Sequence, residues 1–263
     1  MAETLAEPIL TVDGLGKHFG GVVVLEDVSF SVTKGARHAL IGPNGAGKTT
    51  LFNVISGVFP PDEGRVVLNG RDLAGVPARR RIAMGMARSF QNIRLMPHLS
   101  VVENVMLGQH ARPGWLRLLK PVGLLPKARE RDEATEMLAA FGLGTYPGQV
   151  VGNLPYGVRK KIEVVRALMA EPDLLLLDEP AAGLNPSETA ALRDFLIEVS
   201  ERGVTLLVVE HDMPFVNSLC EQVTVMNFGR RIYDGAVAGV REDAAVLEAY
   251  LGHGKRESAS DAA

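Results

Sequence analysis

A glycine-rich loop, Gly42 to Thr49, constrains the fold of this chain more than any other part of the sequence. It follows the apolar run 39–41 and precedes apolar residues at helical spacing, so we expect a buried strand, a tight loop and a helix in that order. Glycines let consecutive backbone N–H groups point inward, and the helix N-terminus adds partial positive charge. The loop predicts a phosphate site made of the following residues: Gly42, Pro43, Asn44, Gly45, Ala46, Gly47, Lys48, Thr49 and Thr50.

Two side chains of this loop have the chemistry that nucleotide binding needs. Lys48 can reach the β- and γ-phosphates, and the hydroxyl of Thr49 can hold Mg²⁺. A glycine-rich turn that binds nothing is the alternative, but every position of the phosphate-loop pattern is matched. A nucleotide with Mg²⁺ is therefore the expected ligand.

An acidic pair, Asp178 and Glu179, follows four consecutive leucines at 174–177. The leucines predict a buried strand, and ligands bind at the carboxyl edge of an open α/β sheet. Alone, such a pair is equally typical of a solvated strand end. Downstream of a phosphate loop, it indicates Asp178 as a Mg²⁺ ligand and Glu179 as the general base for water.

Buried strands are also predicted at 173–177, 204–209 and 223–226, and they alternate with helical patterns, which predicts an α/β fold with a parallel sheet. The early β-rich runs are candidates for antiparallel pairing, and the interval from about 92 to 152 is mostly helical. We therefore expect a core at 9–91 and 171–252, with a helical subdomain inserted at about 92–170. The polar segment 253–263 has no packing pattern and is expected to be a disordered tail.

Composition excludes several classes of function. A formal net charge of −3 gives no reason to expect binding to nucleic acid. The single cysteine, Cys220, cannot form an internal disulfide and is expected in the core. No apolar run approaches the ~20 residues that span a bilayer, and residues 1–8 lack the apolar region of a signal peptide. Membrane association is thus expected only through partner subunits.

The segment 154–158, Leu-Pro-Tyr-Gly-Val, opens a predicted helix and completes a series of motifs. With the loop and the acidic pair in this order, the chain resembles the ATPases of ABC transporters over about 9–252. Within that family it is similar to subunits of branched-chain amino acid importers. The usual signature, Leu-Ser-Gly-Gly-Gln, differs at three places. Pro155 removes the serine hydroxyl and a backbone donor, so that serine's phosphate contact is not transferred, whereas Tyr156 and Gly157 are assigned to nucleotide binding.

The resemblance also implies roles for three isolated residues. Gln91 would contact Mg²⁺ and the attacking water, His211 would hydrogen-bond the γ-phosphate, and Phe19 would stack on adenine. Without the resemblance, these residues are typical of a polar loop, a strand end and a core position, respectively.

Three further stretches are interpreted from local pattern. Asn185 lies where the family usually has the aspartate of its D-loop, and with Glu188 three positions later it also predicts a helix N-cap with a capping box. Val58 is expected on the buried face of the helix after the loop. The arginine run 79–81 is expected on a solvated helix face.

The resemblance implies an α/β fold of the ABC ATPase type, with a mixed sheet core, an antiparallel β subdomain and an inserted α-helical subdomain. It implies two ATPase subunits stacked head to tail, with each ATP between the loop of one and the signature of the other. Two permease subunits, and indirectly a substrate-binding protein, would complete an importer. This chain would lie at the cytoplasmic side of the inner membrane.

Three alternatives remain open at this point. An exporter of lipid or lipopolysaccharide would use a similar ATPase. ABC ATPases without a transport role resemble tandem ATPase units or carry a long coiled-coil insertion, and this chain shows neither. A small-molecule kinase with a phosphate loop would lack the helix start at 154–158.

Overall fold

A computed structural model of the protein describes residues 7–89, 93–111 and 126–250. The strands within these ranges are β1 (Pro8–Phe19), β2 (Val22–Thr33), β3 (Arg37–Ile41), β4 (Glu63–Leu68), β5 (Arg71–Asp72), β6 (Met86–Arg88), β7 (Leu174–Asp178), β8 (Thr205–Val209), β9 (Gln222–Asn227) and β10 (Arg230–Ala236). The α-helices are α1 (Lys48–Ile55), α2 (Ala78–Ile82), α3 (Val101–Met106), α4 (Pro126–Ala140), α5 (Tyr156–Leu168), α6 (Pro186–Glu201) and α7 (Met213–Leu219). Short 3-10 helices lie at Leu107–Ala111, Val151–Asn153 and Val237–Arg241, and residues 244–250 are α-helical.

A six-stranded sheet forms the centre of the molecule, in the order β10-β9-β3-β8-β7-β6. All neighbours are parallel except β10, which pairs antiparallel with β9. Every residue of β8 and the four leucines of β7 are buried, because helices and a second sheet cover both faces. The predicted buried strands at 39–41, 173–177, 204–209 and 223–226 are confirmed to within a residue or two.

A second, antiparallel sheet has the order β2-β1-β4-β5. Helix α1 lies between the two sheets: Leu51, Phe52 and Ile55 pack in one apolar cluster with residues of β1 and β2 and with Leu174, Leu176 and Leu207 from the central sheet. The other face of the central sheet packs against α5, α6 and α7 in a second cluster that includes the buried Cys220. The phosphate loop is thereby held where two layers meet.

Only helical elements lie between β6 and β7 in the described residues, apart from an isolated bridge between Ser100 and Val150. Helix α4 buries Ala134 and Leu138, as its amphipathic pattern predicts. The predicted combination of a mixed sheet, an antiparallel sheet and inserted helices is confirmed. The exact division at 92 and 170 stays a prediction, and the tail 253–263 lies outside the described residues. No helix in the described part of the chain is both long and apolar enough to cross a membrane.

Two local predictions are wrong. Val58 does not join the buried face of α1: the helix ends at Ile55, Gly57 follows with a φ of 81°, and the Val58 side chain is 53% exposed. Arg81 does not lie on a solvated face, because it is 5% exposed while Arg79 and Arg80 are exposed. Its guanidinium donates to the carbonyl oxygens of Val54 and Ile55 at 2.9 and 2.6 Å, and so caps the C-terminus of α1.

Candidate active site

The phosphate loop, the acidic pair and the strand-end histidine all follow the carboxyl ends of parallel strands. Leu40 of β3 and Asp178 of β7 both pair with Val209 of β8, so the three strands end at the same level. This edge of an open α/β sheet is where ligands bind. The structure therefore brings the loop, Asp178, Glu179 and His211 to one place, as the sequence predicts.

The loop 42–47 has a backbone that requires glycine at two points. Gly42 has a φ of 150°, and a Cβ there would collide with the carbonyl oxygen of Met226. Gly47, the N-cap of α1, has a φ of 95°, and a Cβ there would lie 2.9 Å from the carbonyl oxygen of Val24. The loop is thus curled against β9 and β2. No side chain caps α1, so the amides of its first turn can bind an anion.

Lys48 is the first residue of α1 and its side chain turns back over the loop. Its Nζ donates to the carbonyl oxygens of Gly42 and Pro43 at 2.6 and 2.9 Å. Burial lowers the pKa of Lys48, and the nearby charge of Glu179 opposes that shift. The ammonium group thus lies between the loop and the acidic pair, and Thr49 is exposed beside it. An ammonium group, a hydroxyl group and first-turn amides together fit a phosphate chain with Mg²⁺.

Asp178, the last residue of β7, forms an ion pair that the sequence analysis did not anticipate. Arg88 Nη2 lies 2.9 Å from Oδ2 of Asp178, and the two side chains are 12% and 13% exposed. The partners are 90 positions apart in the sequence, and only the pairing of β6 with β7 makes them neighbours. The orientation of the Asp178 carboxylate is therefore set by a residue from another strand.

Glu179 sits at a sharp turn immediately after β7. It has a φ of 44°, which non-glycine residues seldom adopt, and its amide donates to the carbonyl oxygen of Val209 at 2.9 Å. Oε1 of Glu179 lies 3.8 Å from Nδ1 of His211, beyond hydrogen-bond distance but within reach through a small movement. The His211 side chain is 63% exposed, whereas that of Glu179 is 26% exposed. A proton acceptor and an imidazole thus flank the same space above the sheet.

Glu210, between Val209 and His211, is a second residue that the sequence analysis missed. It is 1% exposed, and burial raises the pKa of its carboxyl group. It accepts hydrogen bonds from the amides of Ala181 and His211 at 2.9 and 3.2 Å. Glu210 therefore ties the loop after β7 to the loop after β8, which holds Glu179 and His211 in register.

Phe19 ends β1 and is 44% exposed, so it is not the core residue that an isolated phenylalanine suggests. Its ring meets the edge of Phe59 at a centroid distance of 5.3 Å, and Lys17 Nζ lies 5.3 Å from its centre. Phe59 follows α1 in the chain. The exposed part of the Phe19 ring leaves a flat aromatic surface that is open to stacking.

The signature segment begins α5, with Pro155 as its N-cap and Tyr156 as its first residue. The amide of Gly157 donates to Oε1 of Glu188 at 3.3 Å. Asn185 caps α6, and its capping box with Glu188 is confirmed. No hydrogen bond in the described ranges joins Tyr156 or Gly157 to the phosphate loop.

Gln91, the third predicted catalytic residue, lies outside the described residues. The described chain before it is placed by β6 and by the amide of Ser89, which donates to the carbonyl oxygen of Leu176 at 2.9 Å and continues the pairing of β6 with β7. Of the residues that sequence reasoning missed, Arg88 and Glu210 each flank a motif residue. A charged residue beside a motif, in an otherwise apolar strand end, is the signal that could have identified them.

Comparisons with known proteins agree with this geometry. The model of the ABC transporter family matches residues 25–182, more than half of the chain. The high-affinity branched-chain amino acid transport ATP-binding protein BraF of Pseudomonas aeruginosa is 38% identical over 94% of this chain and 99% of its own. The corresponding protein LivG of Escherichia coli is 35% identical over the same shares.

A solved structure extends the likeness to three dimensions. The ADP conformation of an ATP-binding cassette from an ABC transporter superposes with a TM-score of 0.83, with 31% identity over 94% of this chain and 100% of that one. That cassette binds a nucleotide on the fold described above. The sheet edge, the loop and these similarities together show that the chain belongs to the ABC transporter family and is one of its ATP-binding ATPases.

Proposed function

We propose that this protein is the ATPase subunit of an ABC importer for branched-chain or related hydrophobic amino acids. The observation that carries the ATPase part is the meeting of Lys48, Asp178, Glu179 and His211 at one sheet edge. The cargo is supported by the 35–38% identity with BraF and LivG, which extends over 94% of the chain. A likeness of that extent includes the helical region, where ATPases of this kind meet their membrane partners.

ATP binding is assigned to the loop and to Phe19. The backbone N–H groups of residues 44–50 surround the phosphates, and Lys48 leaves its two carbonyl acceptors to reach the β- and γ-phosphates. The hydroxyl of Thr49 and the carboxylate of Asp178 hold Mg²⁺, together with the amide of Gln91. Mg²⁺ supplies charge neutralisation between the phosphates when bound.

Hydrolysis is assigned to Glu179 as general base. Its carboxylate accepts a proton from the attacking water, and the strained turn at φ 44° keeps it pointed over the sheet edge. His211 donates a hydrogen bond to the γ-phosphate, where negative charge develops. Glu210 holds both residues in place through backbone amides.

A complete site is proposed to need a second ATPase subunit, stacked head to tail. Tyr156 and Gly157 of each subunit would then face the nucleotide on the other, as the resemblance to the family implies. Two permease subunits would contact the helical subdomain at about 92–170, and a substrate-binding protein would deliver the cargo. The protein would then work at the cytoplasmic side of the inner membrane, with no role for nucleic acid.

The assignment of Glu179 is tested with Glu179→Gln in the assembled transporter. The amide cannot accept a proton, so turnover falls by ~10²–10⁴ while ATP binding is retained. Glu201→Gln, an exposed change near the end of α6, is the matched control and keeps full turnover. Turnover of Glu179→Gln within a few-fold of the wild type would show that Glu179 is not the base.

The cargo is tested by purifying the chain with its native partners and measuring ATPase activity in proteoliposomes. Leucine, isoleucine or valine with the binding protein is expected to stimulate turnover. Stimulation by lipid alone would instead assign the complex to an exporter. The isolated subunit is expected to bind ATP with Mg²⁺ and to hydrolyse it slowly, because the opposite signature is missing.

A further inference from the structure

Arg88, the last residue of β6, connects three parts of the active site. Its Nη2 donates to Oδ2 of Asp178 at 2.9 Å. Its Nη1 donates to Oδ1 of Asn53 at 2.7 Å and to Oγ of Ser56 at 2.8 Å, at the end of α1. The guanidinium also lies over the ring of Phe52, 4.8 Å from its centroid. Both terminal nitrogens and one face of the guanidinium are therefore engaged.

These contacts join elements that act on the same nucleotide. Helix α1 begins at the phosphate loop, β7 ends at Asp178, and β6 leads directly to Ser89 and then to Gln91. A guanidinium is planar, so it cannot rotate to keep one contact without breaking another. Arg88 therefore couples the positions of α1 and β6 to the carboxylate of Asp178.

We propose that Arg88 is the positioning residue for Asp178: it holds Oδ2, so that Oδ1 faces the divalent cation, and it limits the negative charge offered to that cation. This rests on the proposed role of Asp178 as a Mg²⁺ ligand. The side chains of Arg88 and Asp178 are only 12% and 13% exposed. The ion pair between them therefore leaves the Asp178 carboxylate little freedom to rotate. A carboxylate so held would offer the cation its other oxygen, Oδ1.

Loss of Arg88 is expected to lower the maximal turnover but to raise the affinity for the cation. Loss of the guanidinium frees the carboxylate to rotate, which lowers the maximal turnover; removal of such supporting contacts around a metal costs about 10–100-fold in activity. Loss of the positive charge next to Asp178 also strengthens the attraction for a cation, so the Mg²⁺ concentration at half-maximal activity falls, by about 3–10-fold. Loss of a residue needed only for folding would not lower the maximal turnover and at the same time tighten cation binding.

The test uses Arg88→Gln, Arg88→Lys and the exposed Arg80→Gln as matched control. ATPase activity of the assembled transporter is measured against Mg²⁺ concentration, and Mn²⁺ binding to the ADP-loaded subunit is measured by calorimetry. Arg88→Gln is expected to lower maximal turnover and to bind Mn²⁺ more tightly. Arg88→Lys keeps the charge, so its cation midpoint stays near that of the wild type while turnover is partly recovered. An unchanged or weaker cation affinity in Arg88→Gln would overturn the proposal.

A second pair of variants keeps the proposal testable if Arg88→Gln does not fold. Ser56→Ala removes one support of the guanidinium but keeps its charge, so turnover is expected to fall with an unchanged Mg²⁺ midpoint; a shifted midpoint would contradict the charge argument. Asp178→Asn separates this proposal from the role of Asp178. If Asp178→Asn retains full cation affinity, the Mg²⁺ role of Asp178 is wrong. If it loses that affinity while Arg88→Gln leaves it unchanged, only the role of Arg88 is wrong.

Discussion

The amide of Gly157 donates a hydrogen bond to Oε1 of Glu188 at 3.3 Å, so the start of α5 is tied to the start of α6 in the same subunit. The other oxygen of Glu188 accepts from the amide of Asn185 at 3.2 Å. One carboxylate therefore serves both helix starts. A phosphate on the opposite subunit that approaches Gly157 would meet this carboxylate, so the Gly157 amide has to exchange one anionic acceptor for another.

Gly157→Asp is expected to abolish turnover of the assembled transporter, with a loss of at least about 10²-fold. A Cβ at this position would lie 3.1 Å from Cγ of Glu188, and the new carboxylate would add negative charge where a phosphate must approach. The matched control is Gly148→Asp, because Gly148 is exposed and a Cβ there meets nothing within 4 Å. The ATPase activity of both variants is measured, and nucleotide binding is measured as well. Normal turnover of Gly157→Asp would rule out a close approach of phosphate to Gly157.

Pro155→Ser is expected to change turnover only modestly. Pro155 is exposed and already occupies the N-cap of α5, with φ −54° and ψ 150°, a conformation that serine also adopts. The contacts that matter come from backbone amides after it, so a hydroxyl adds little. The measurement is ATPase activity coupled to transport. A gain of about tenfold or more would show instead that the natural signature is degenerate.

Arg81→Met is expected to lower the free energy of unfolding by about 2–4 kcal/mol. The arginine is 5% exposed, and its loss would remove a hydrogen-bond donor from carbonyl oxygens at the end of α1 and in the loop before α2. Arg80→Met, one position away but exposed, is expected to stay within about 0.5 kcal/mol of the wild type. Urea unfolding of both variants measures the difference, and equal stability would contradict a capping role for Arg81.

Stability is expected to fall below about pH 6.5 because of His38, which is 3% exposed. Burial lowers the pKa of His38 to about 4, although the charge of Asp234 acts in the opposite direction. At higher pH the imidazole is neutral in both the folded and the unfolded chain. Between the two pKa values only the unfolded chain binds the proton, so acidification costs up to about 3 kcal/mol.

The measurement for His38 is the free energy of unfolding from pH 7 to pH 4. His38→Gln can still bond to Oγ1 of Thr224, which lies 2.8 Å from the imidazole Nε2, and it should flatten the pH profile. His98→Gln, at an exposed position, should leave the profile as in the wild type. A profile for His38→Gln as steep as that of the wild type would assign the acid sensitivity to other groups.

The sequence alone determined those elements whose geometry depends on only a few neighbouring residues, namely the buried strands and a helix cap. The run 39–41, the leucines 174–177 and the run 204–209 predict buried parallel strands, because a short run that is apolar at almost every position is typical of a strand covered on both faces. The motif residues follow those strands, so their meeting at one edge was predictable from chain direction alone. The capping box of Asn185 was predictable for the same reason, since its partners are three residues apart.

Tertiary structure decided the partners of charged side chains. Arg88 and Asp178 are 90 positions apart, and Gly157 and Glu188 are 31 apart, so no local pattern links them. Arg81 is one of three consecutive arginines, and nothing in the local sequence distinguishes it from the other two. Only Arg81, however, donates hydrogen bonds to the end of α1. The physical reason is that apolar periodicity records which face of an element is buried, whereas the partner of a buried charge depends on which distant element packs against that face.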